Sequence, residues 1–174
     1  MGLSRTFQIV RPFAEMSVLE NVMVGCDMRT GSGLFSAAFR LPRARKDERM
    51  VRHRAMDELE FVGLAGRANE PATSLPMGEQ RVMEIARALA SDPEVVLFDE
   101  PAAGLNENET DQLARNLFRI KERGITILLV EHDMRLVMRV SDEVAVINYG
   151  SLIAEGTPSA IRNNPAVITA YLGK

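Results

Sequence analysis

The 174-residue chain holds a single cysteine, Cys26. An internal disulfide is excluded, as is a metal site built on paired thiols. What fits is a buried or incidental thiol in a reducing compartment. Long hydrophobic runs are also lacking. The longest, VVLF and ITILLV, fall far short of the about 20 residues that a membrane-spanning helix needs. The opening residues, MGLSRTFQ, carry no apolar signal core, and beyond Thr6 nothing supports the myristoylation that Met-Gly allows. Neither sign of charge dominates. Lys and Arg number 21 against 24 Asp and Glu, for a net charge of −3. That gives no electrostatic case for binding nucleic acid or an anionic membrane surface. The one short basic cluster, RARKDER, carries its own acids and reads as a helix start. Internal repeats and low-complexity tracts are missing. So is any Gly-Lys-Ser/Thr triplet, and with it the phosphate loop Gly-x-x-x-x-Gly-Lys-Ser/Thr. The expectation is a cytosolic chain, unless another component holds it at a membrane.

What is there describes a soluble globular protein. Hydrophobic residues make up 46% and charged residues 26%, enough at this length to bury a real core in one domain. RTGSGLFSAAFRLP reads as a loop or insertion. From Lys46 to Phe61 the pattern is helical, with Ala55, Leu59 and Val62 on one face and Gly63 as a stop. GEQRVMEIARALASDP is a second helix with Val82, Ile85, Ala86 and Leu89 as its apolar stripe. The rhythm then becomes strand, helix, strand. EVVLF is an apolar strand. The helix NENETDQLARNLFRIKERG follows, with Asn106 and Glu109 at capping-box spacing, Leu113, Leu117 and Ile120 on its apolar face, and Gly124 past its end. ITILLV is a second, fully apolar strand of the kind expected where helices cover both faces of a parallel sheet. DMRLVMRVS is a short helix, EVAVINYGSLIAEG two strands around a glycine turn, and the tail two short helices that start near prolines. The division is a helical, loop-rich segment over 1–92 and an α/β segment over 93–174.

Three features carry chemistry. EVVLF delivers Asp99 and Glu100 to a strand's carboxyl end, where ligand sites of open α/β sheets lie. An Asp there can hold Mg²⁺ while a neighbouring acid polarises a water; on an extended strand the two would point to opposite sides. The same Asp-Glu-Pro also serves as a plain strand end and turn. ITILLV ends in Glu131-His132-Asp133, so His132 reaches the same edge, as a functional or a structural residue. SLPMGEQRVMEIARAL places Gly78 at the start of a helix, whose N-terminal N–H groups suit an anion; an ordinary loop-to-helix transition reads the same way.

Together these segments, LPMGEQRVMEIARALASDPEVVLFDEPAAGLN and LLVEHD, resemble the ATPase subunits of ABC transporters over essentially the whole chain. Leu75 to Glu79 occupy the place of the signature motif, VVLFDE the Walker B strand, AAGLN the D-loop and His132 the switch histidine. Gln8, in RTFQ, looks like the Q-loop glutamine. GLSRTFQIVRPFAEMSVLENVMVG, EHDM and IAEGTPSAIRNNPAVITAYLG are similar to the branched-chain amino-acid uptake subfamily. The resemblance implies a P-loop NTPase fold with a parallel sheet, flanking helices and a helical subdomain. It also implies ATP and Mg²⁺ as ligands. Asp99 and Gln8 would then serve the metal, Glu100 would be general base and His132 would stabilise transition-state charge. Gln8, Gly78, Gln80 and Asn106 would face nucleotide. The implied partners are transmembrane permease subunits and a second ATPase subunit, at the cytoplasmic face of the plasma membrane.

The match departs from the family pattern in two places. Pro76 replaces a Ser, Met77 a Gly and Glu79 a Gln, which removes a donor and adds negative charge where phosphate would sit. The phosphate loop that precedes the Q-loop glutamine is not among the seven residues before Gln8. The expectation is that this polypeptide alone does not bind ATP with useful affinity and leaves apolar sheet surface exposed. It would be an N-terminally incomplete ATPase subunit or, alternatively, a non-hydrolysing accessory that docks to a permease or an intact partner. A metal hydrolase built on Asp99, Glu100 and His132 has no further ligand set to complete it.

Overall fold

The computed structural model describes residues 2–6, 12–30 and 42–172. Gln8 and residues 31–41 of the expected loop lie outside the described residues.

Strand β1 (Leu3–Arg5) lies parallel to β2 (Val95–Asp99), which lies parallel to β3 (Thr126–Val130), in the order β1-β2-β3. Ser4 is opposite Val96, and Val96 is opposite Ile127. The sheet thus draws its first strand from the segment read as helix and loop. A three-residue strand leaves almost no periodicity to detect.

Helix α1 (Val18–Thr30) begins at a reciprocal cap, in which Ser17 N–H and hydroxyl bond the Glu20 carboxylate and Glu20 N–H bonds the Ser17 hydroxyl. Helix α2 (Pro42–Val62) buries Ala55, Leu59 and Val62, the expected face. Helix α3 (Met77–Ala90) buries Ile85, Ala86 and Leu89, with Val82 partly buried against the same core. Helices α1, α2 and α3 pack on one another. At the α1–α3 crossing the backbones nearly touch, because a Cβ at Gly25 would strike the Arg87 carbonyl.

Helix α4 (Glu107–Glu122) has the expected capping box: the Asn106 side chain accepts from Glu109 N–H at 3.0 Å, and Asn106 N–H donates to the Glu109 carboxylate at 2.9 Å. It buries Leu113, Leu117 and Ile120, and Gly124 (φ +78°) lets the chain leave it in a left-handed turn. Phe61 at the end of α2 lies under the guanidinium groups of Arg119 and Arg123, 4.1 and 3.4 Å from the ring centroid. These contacts tie α2 to α4.

Helix α5 (Met134–Val140) leads to the antiparallel hairpin β4 (Val144–Asn148) and β5 (Ser151–Gly156). Helices α6 (Pro158–Arg162) and α7 (Pro165–Val167) each open with proline, as expected. One core runs from Val18 to Val140. A satellite core of Val137, Val144, Val146, Ile161 and Val167 sits under the hairpin.

The structure corrects the expectation for the third strand. Strand β3 is apolar apart from Thr126 but not covered on both faces, since Leu128 is 55% and Val130 49% exposed. Among the described residues β3 pairs only with β2. Its outer edge opens on a cleft of about 950 Å³ that reaches the β4–β5 hairpin and is lined by Leu128, Val130, Val144 and Ile147. The apolar exposure expected of the sheet is therefore present at this edge.

Candidate functional site

The site begins where β2 ends. Asp99 is the last strand residue, and one carboxylate oxygen pairs with the Arg5 guanidinium at 2.9 Å, carried in by the neighbouring β1. Glu100 leaves the strand in the left-handed region, φ +46°. For a residue with a Cβ this conformation costs about 1–2 kcal/mol, and such strain concentrates at functional sites. It also replaces the expected alternation: the turn, not the strand pleat, separates the directions of Asp99 and Glu100.

The strained peptide is held from both sides. Glu100 N–H donates to the Val130 carbonyl at 2.9 Å, extending the β2–β3 ladder by one bond. The Glu100 carbonyl accepts from Ala103 N–H and from Arg81 of α3, both at 3.2 Å. His132 follows β3, as expected, with Nδ1 3.8 Å from a Glu100 carboxylate oxygen. The imidazole is 69% exposed and the Glu100 carboxylate 31%, so both are open to a solvent-side ligand. The loop is locked by Asp133, whose carboxylate accepts from Arg135 and Leu136 N–H and caps α5.

A second group of residues lies at the start of α3. Pro76 occupies the cap position and offers no side-chain bond to the first N–H groups of the helix. Gly78 is buried, and a Cβ there would strike the Glu109 carboxylate, the same group that caps α4. A side chain at Gly78 would therefore have to displace the Glu109 carboxylate, which reaches the start of α3 from the start of α4. Asn106 stands at that junction as the α4 cap, while the Gln80 side-chain amide donates to the Leu75 carbonyl at 2.9 Å and closes its own loop. The Met77 sulfur lies 3.9 Å from where a Cβ at Gly104 would be, so the α3 start also touches the turn after β2. Arg81, on the same helix, links α3 to the Glu100 carbonyl.

The charge that Glu79 brings to this helix start is partly offset. Arg67 pairs with Glu79 and, at 2.7 Å, with Glu70, whose carboxylate also accepts from Ser74. The hydrogen bond with Glu70 raises the Arg67 pKa, and the hydrogen bond from Arg67 holds the Glu70 carboxyl below its ordinary value. A carboxyl with a depressed folded pKa stabilises above its unfolded pKa, about 4.3, and that contribution is lost as pH falls through the folded value. Arg67→Ala is expected to lower the thermal midpoint at neutral pH and low salt. The deficit should shrink with added salt and with acidification through that range. Equal midpoints at pH 7 and low salt would contradict the pairing.

Motif reading did not single out Arg5, Arg67, Arg81 or the Glu109–Gly78 contact. Apart from the Arg67–Glu70 pair, each joins residues 12 or more positions apart, and no local pattern marks them. Glu131 had a visible signal, an acid directly after a fully apolar strand.

The comparisons fit this geometry. The family model described as ABC transporter matches residues 2–103, and that described as branched-chain amino acid ATP-binding cassette transporter matches 151–174. The chain belongs to the ATP-binding subunits of ABC transporters. It is similar, at 47% identity over all of its length, to the Escherichia coli protein described as high-affinity branched-chain amino acid transport ATP-binding protein LivG, covering 69% of that relative. The corresponding BraF protein of Pseudomonas aeruginosa is 45% identical over 99% of this chain and 68% of its own. Among solved structures, the ADP conformation of MJ1267, an ATP-binding cassette of an ABC transporter, superposes with a TM-score of 0.80 at 32% identity, over 99% of this chain and 69% of that one. The fold is accordingly that of an ABC ATPase domain, an α/β P-loop NTPase architecture. No helix among the described residues is long and apolar enough to cross a membrane.

The family's ligands are ATP and Mg²⁺. No group of three or more His, Cys, Asp or Glu residues that could hold a metal ion occurs among the described residues. Mg²⁺ in nucleotide sites commonly takes one or two carboxylates, with water and phosphate completing its shell. The partly exposed Asp99 carboxylate at the strand end fits that donor set, with the Arg5 guanidinium as a competing cation.

Proposed function

We propose that the chain is the hydrolytic and signature-bearing part of an importer ATPase subunit that drives uptake of branched-chain amino acids. The observation that carries this reading is the strained Glu100 peptide, fixed by β3 and Arg81, with its carboxylate 3.8 Å from His132. Glu100 holds a water and takes its proton. His132 stabilises charge on the far side of that water, and Asp99 is the protein's ligand to the metal. Bound there, Mg²⁺ would supply positive charge to offset the negative charge developing on the phosphates. The uncapped first turn of α3 at Gly78 presents N–H groups to the nucleotide of a second ATPase subunit, and Asn106 holds the neighbouring corner. Gln8 and Gln80 complete the assignment, Gln8 as a metal and nucleotide sensor and Gln80 by fixing the signature loop.

Residues 1–92 form the half that faces permease and partner, and 93–174 the hydrolytic half. The narrower substrate reading is supported by the names of the relatives and by the match over 151–174. A second reading, a non-hydrolysing accessory subunit, is favoured by the Arg5 guanidinium on Asp99, which sets a fixed cation against the carboxylate meant for the metal. ATP turnover by a transporter in which this chain replaces the matching stretch of LivG separates the two. Mg²⁺-dependent phosphate release supports the first, and its absence in an assembled complex supports the second.

A further inference from the structure

Glu131 has no role in the assignment above, yet its side chain is only 1% exposed. A carboxylate withdrawn from water is costly unless its lone pairs are filled. The ion pairs among the described residues give Glu131 no Lys or Arg; the nearest basic group is His132 Nδ1 at 4.0 Å. Backbone fills it instead. One oxygen accepts from Ala102 N–H at 2.7 Å, and the other accepts from His132 N–H at 3.0 Å and Asp133 N–H at 3.4 Å. Ala102 lies in the turn directly after Glu100 and Pro101, and 29 positions separate it from Glu131.

The consequence is mechanical. The turn that aims Glu100 and the loop that carries His132 leave neighbouring strands, β2 and β3, and among the described residues the Glu100–Val130 bond is the last backbone bond between them. A single rigid carboxylate spans the gap. We propose that Glu131 is a positioning residue that clips the Ala102 turn to the His132 loop, and so sets the separation of the Glu100 carboxylate and the His132 ring. The proposal rests on the roles assigned above to Glu100 and His132. Both carboxylate oxygens act only as acceptors, so glutamine cannot replace them: its amide nitrogen would face either Ala102 N–H or the His132 and Asp133 N–H groups.

The test is residue-resolved amide hydrogen exchange on the full chain, wild type against Glu131→Gln. Exchange at Ala102 or at His132 and Asp133 should accelerate about tenfold or more, the scale of a lost charge-assisted bond. The amides of Ile85 and Val96, in α3 and β2, should keep their wild-type rates. Unchanged exchange everywhere, or one uniform acceleration throughout the chain, overturns the clip. If the glutamine variant does not fold, Glu131→Asp serves, because it keeps the charge but lacks the reach; the same local pattern supports the clip and its absence overturns it.

A second arm measures ATP turnover in the assembled transporter. A kcat reduced about tenfold with KM for ATP unchanged is the expected split, since the groups that bind phosphate are not touched. An unchanged kcat, where Glu100→Gln abolishes turnover, overturns the positioning role. If Glu100→Gln itself leaves turnover intact, the functional assignment has failed, and the exchange data alone decide the clip.

Discussion

Glu100→Gln is expected to lower ATP turnover by the assembled transporter about a hundredfold to a thousandfold, the combined scale of a general base and of lost electrostatic stabilisation. The substitution is unusually clean here. Three bonds that hold the left-handed turn use backbone atoms of Glu100: its N–H to Val130, and its carbonyl to Ala103 and Arg81. An isosteric amide leaves them in place, so the fold and its thermal midpoint should not move. What disappears is a carboxylate that can take a proton beside His132. Nucleotide binding should survive while phosphate release is lost, a fall in kcat without a matching rise in KM. Turnover within a factor of two of wild type would remove Glu100 from the role of base.

The largest effect on stability belongs to Phe98→Ala. Phe98 is completely buried on β2, the middle strand of the sheet, one position before Asp99. Its loss removes a large apolar side chain and leaves a cavity between the sheet and its covering helices, at a cost of about 3–5 kcal/mol. Against a typical total of roughly 5–15 kcal/mol, that change takes away a large part of the margin. Urea unfolding should show the midpoint falling with little change in slope. Leu128→Ala on β3, at a position 55% exposed, should cost far less. If the two variants lost equal stability, the placement of the core on β2 rather than at the β3 edge would be wrong.

Much of this fold could be read from periodicity. The α2 face of Ala55, Leu59 and Val62, the α4 stripe with its Asn106–Glu109 cap, and the β4–β5 hairpin all follow from local patterns that tertiary structure did not override. Strand β1 did not, because three residues have no period. Strand β3 misled, because a run of apolar residues is the same whether neighbours cover it or an open edge does. The site divided the same way. Asp99, Glu100 and His132 were legible as residues that end apolar strands, and the structure places them at one edge. The left-handed turn at Glu100 was not, since no glycine marks it. Arg67 beside Glu79, Arg5 beside Asp99 and Glu109 beneath Gly78 are contacts between distant parts of the chain, set by packing alone. They change the chemistry of the motifs: the Glu79 carboxylate shares a cation with Glu70, and the Asp99 carboxylate proposed for the metal already has a cationic neighbour.

The most direct test of the assignment exchanges sequence within a working transporter. In E. coli cells lacking LivG, the matching stretch of that relative is replaced by this chain, and uptake of labelled leucine is measured. The assignment predicts leucine uptake restored well above the deleted strain and abolished again by Glu100→Gln. A chimera that is present at normal levels, folded and membrane-associated, yet imports no leucine, would contradict it.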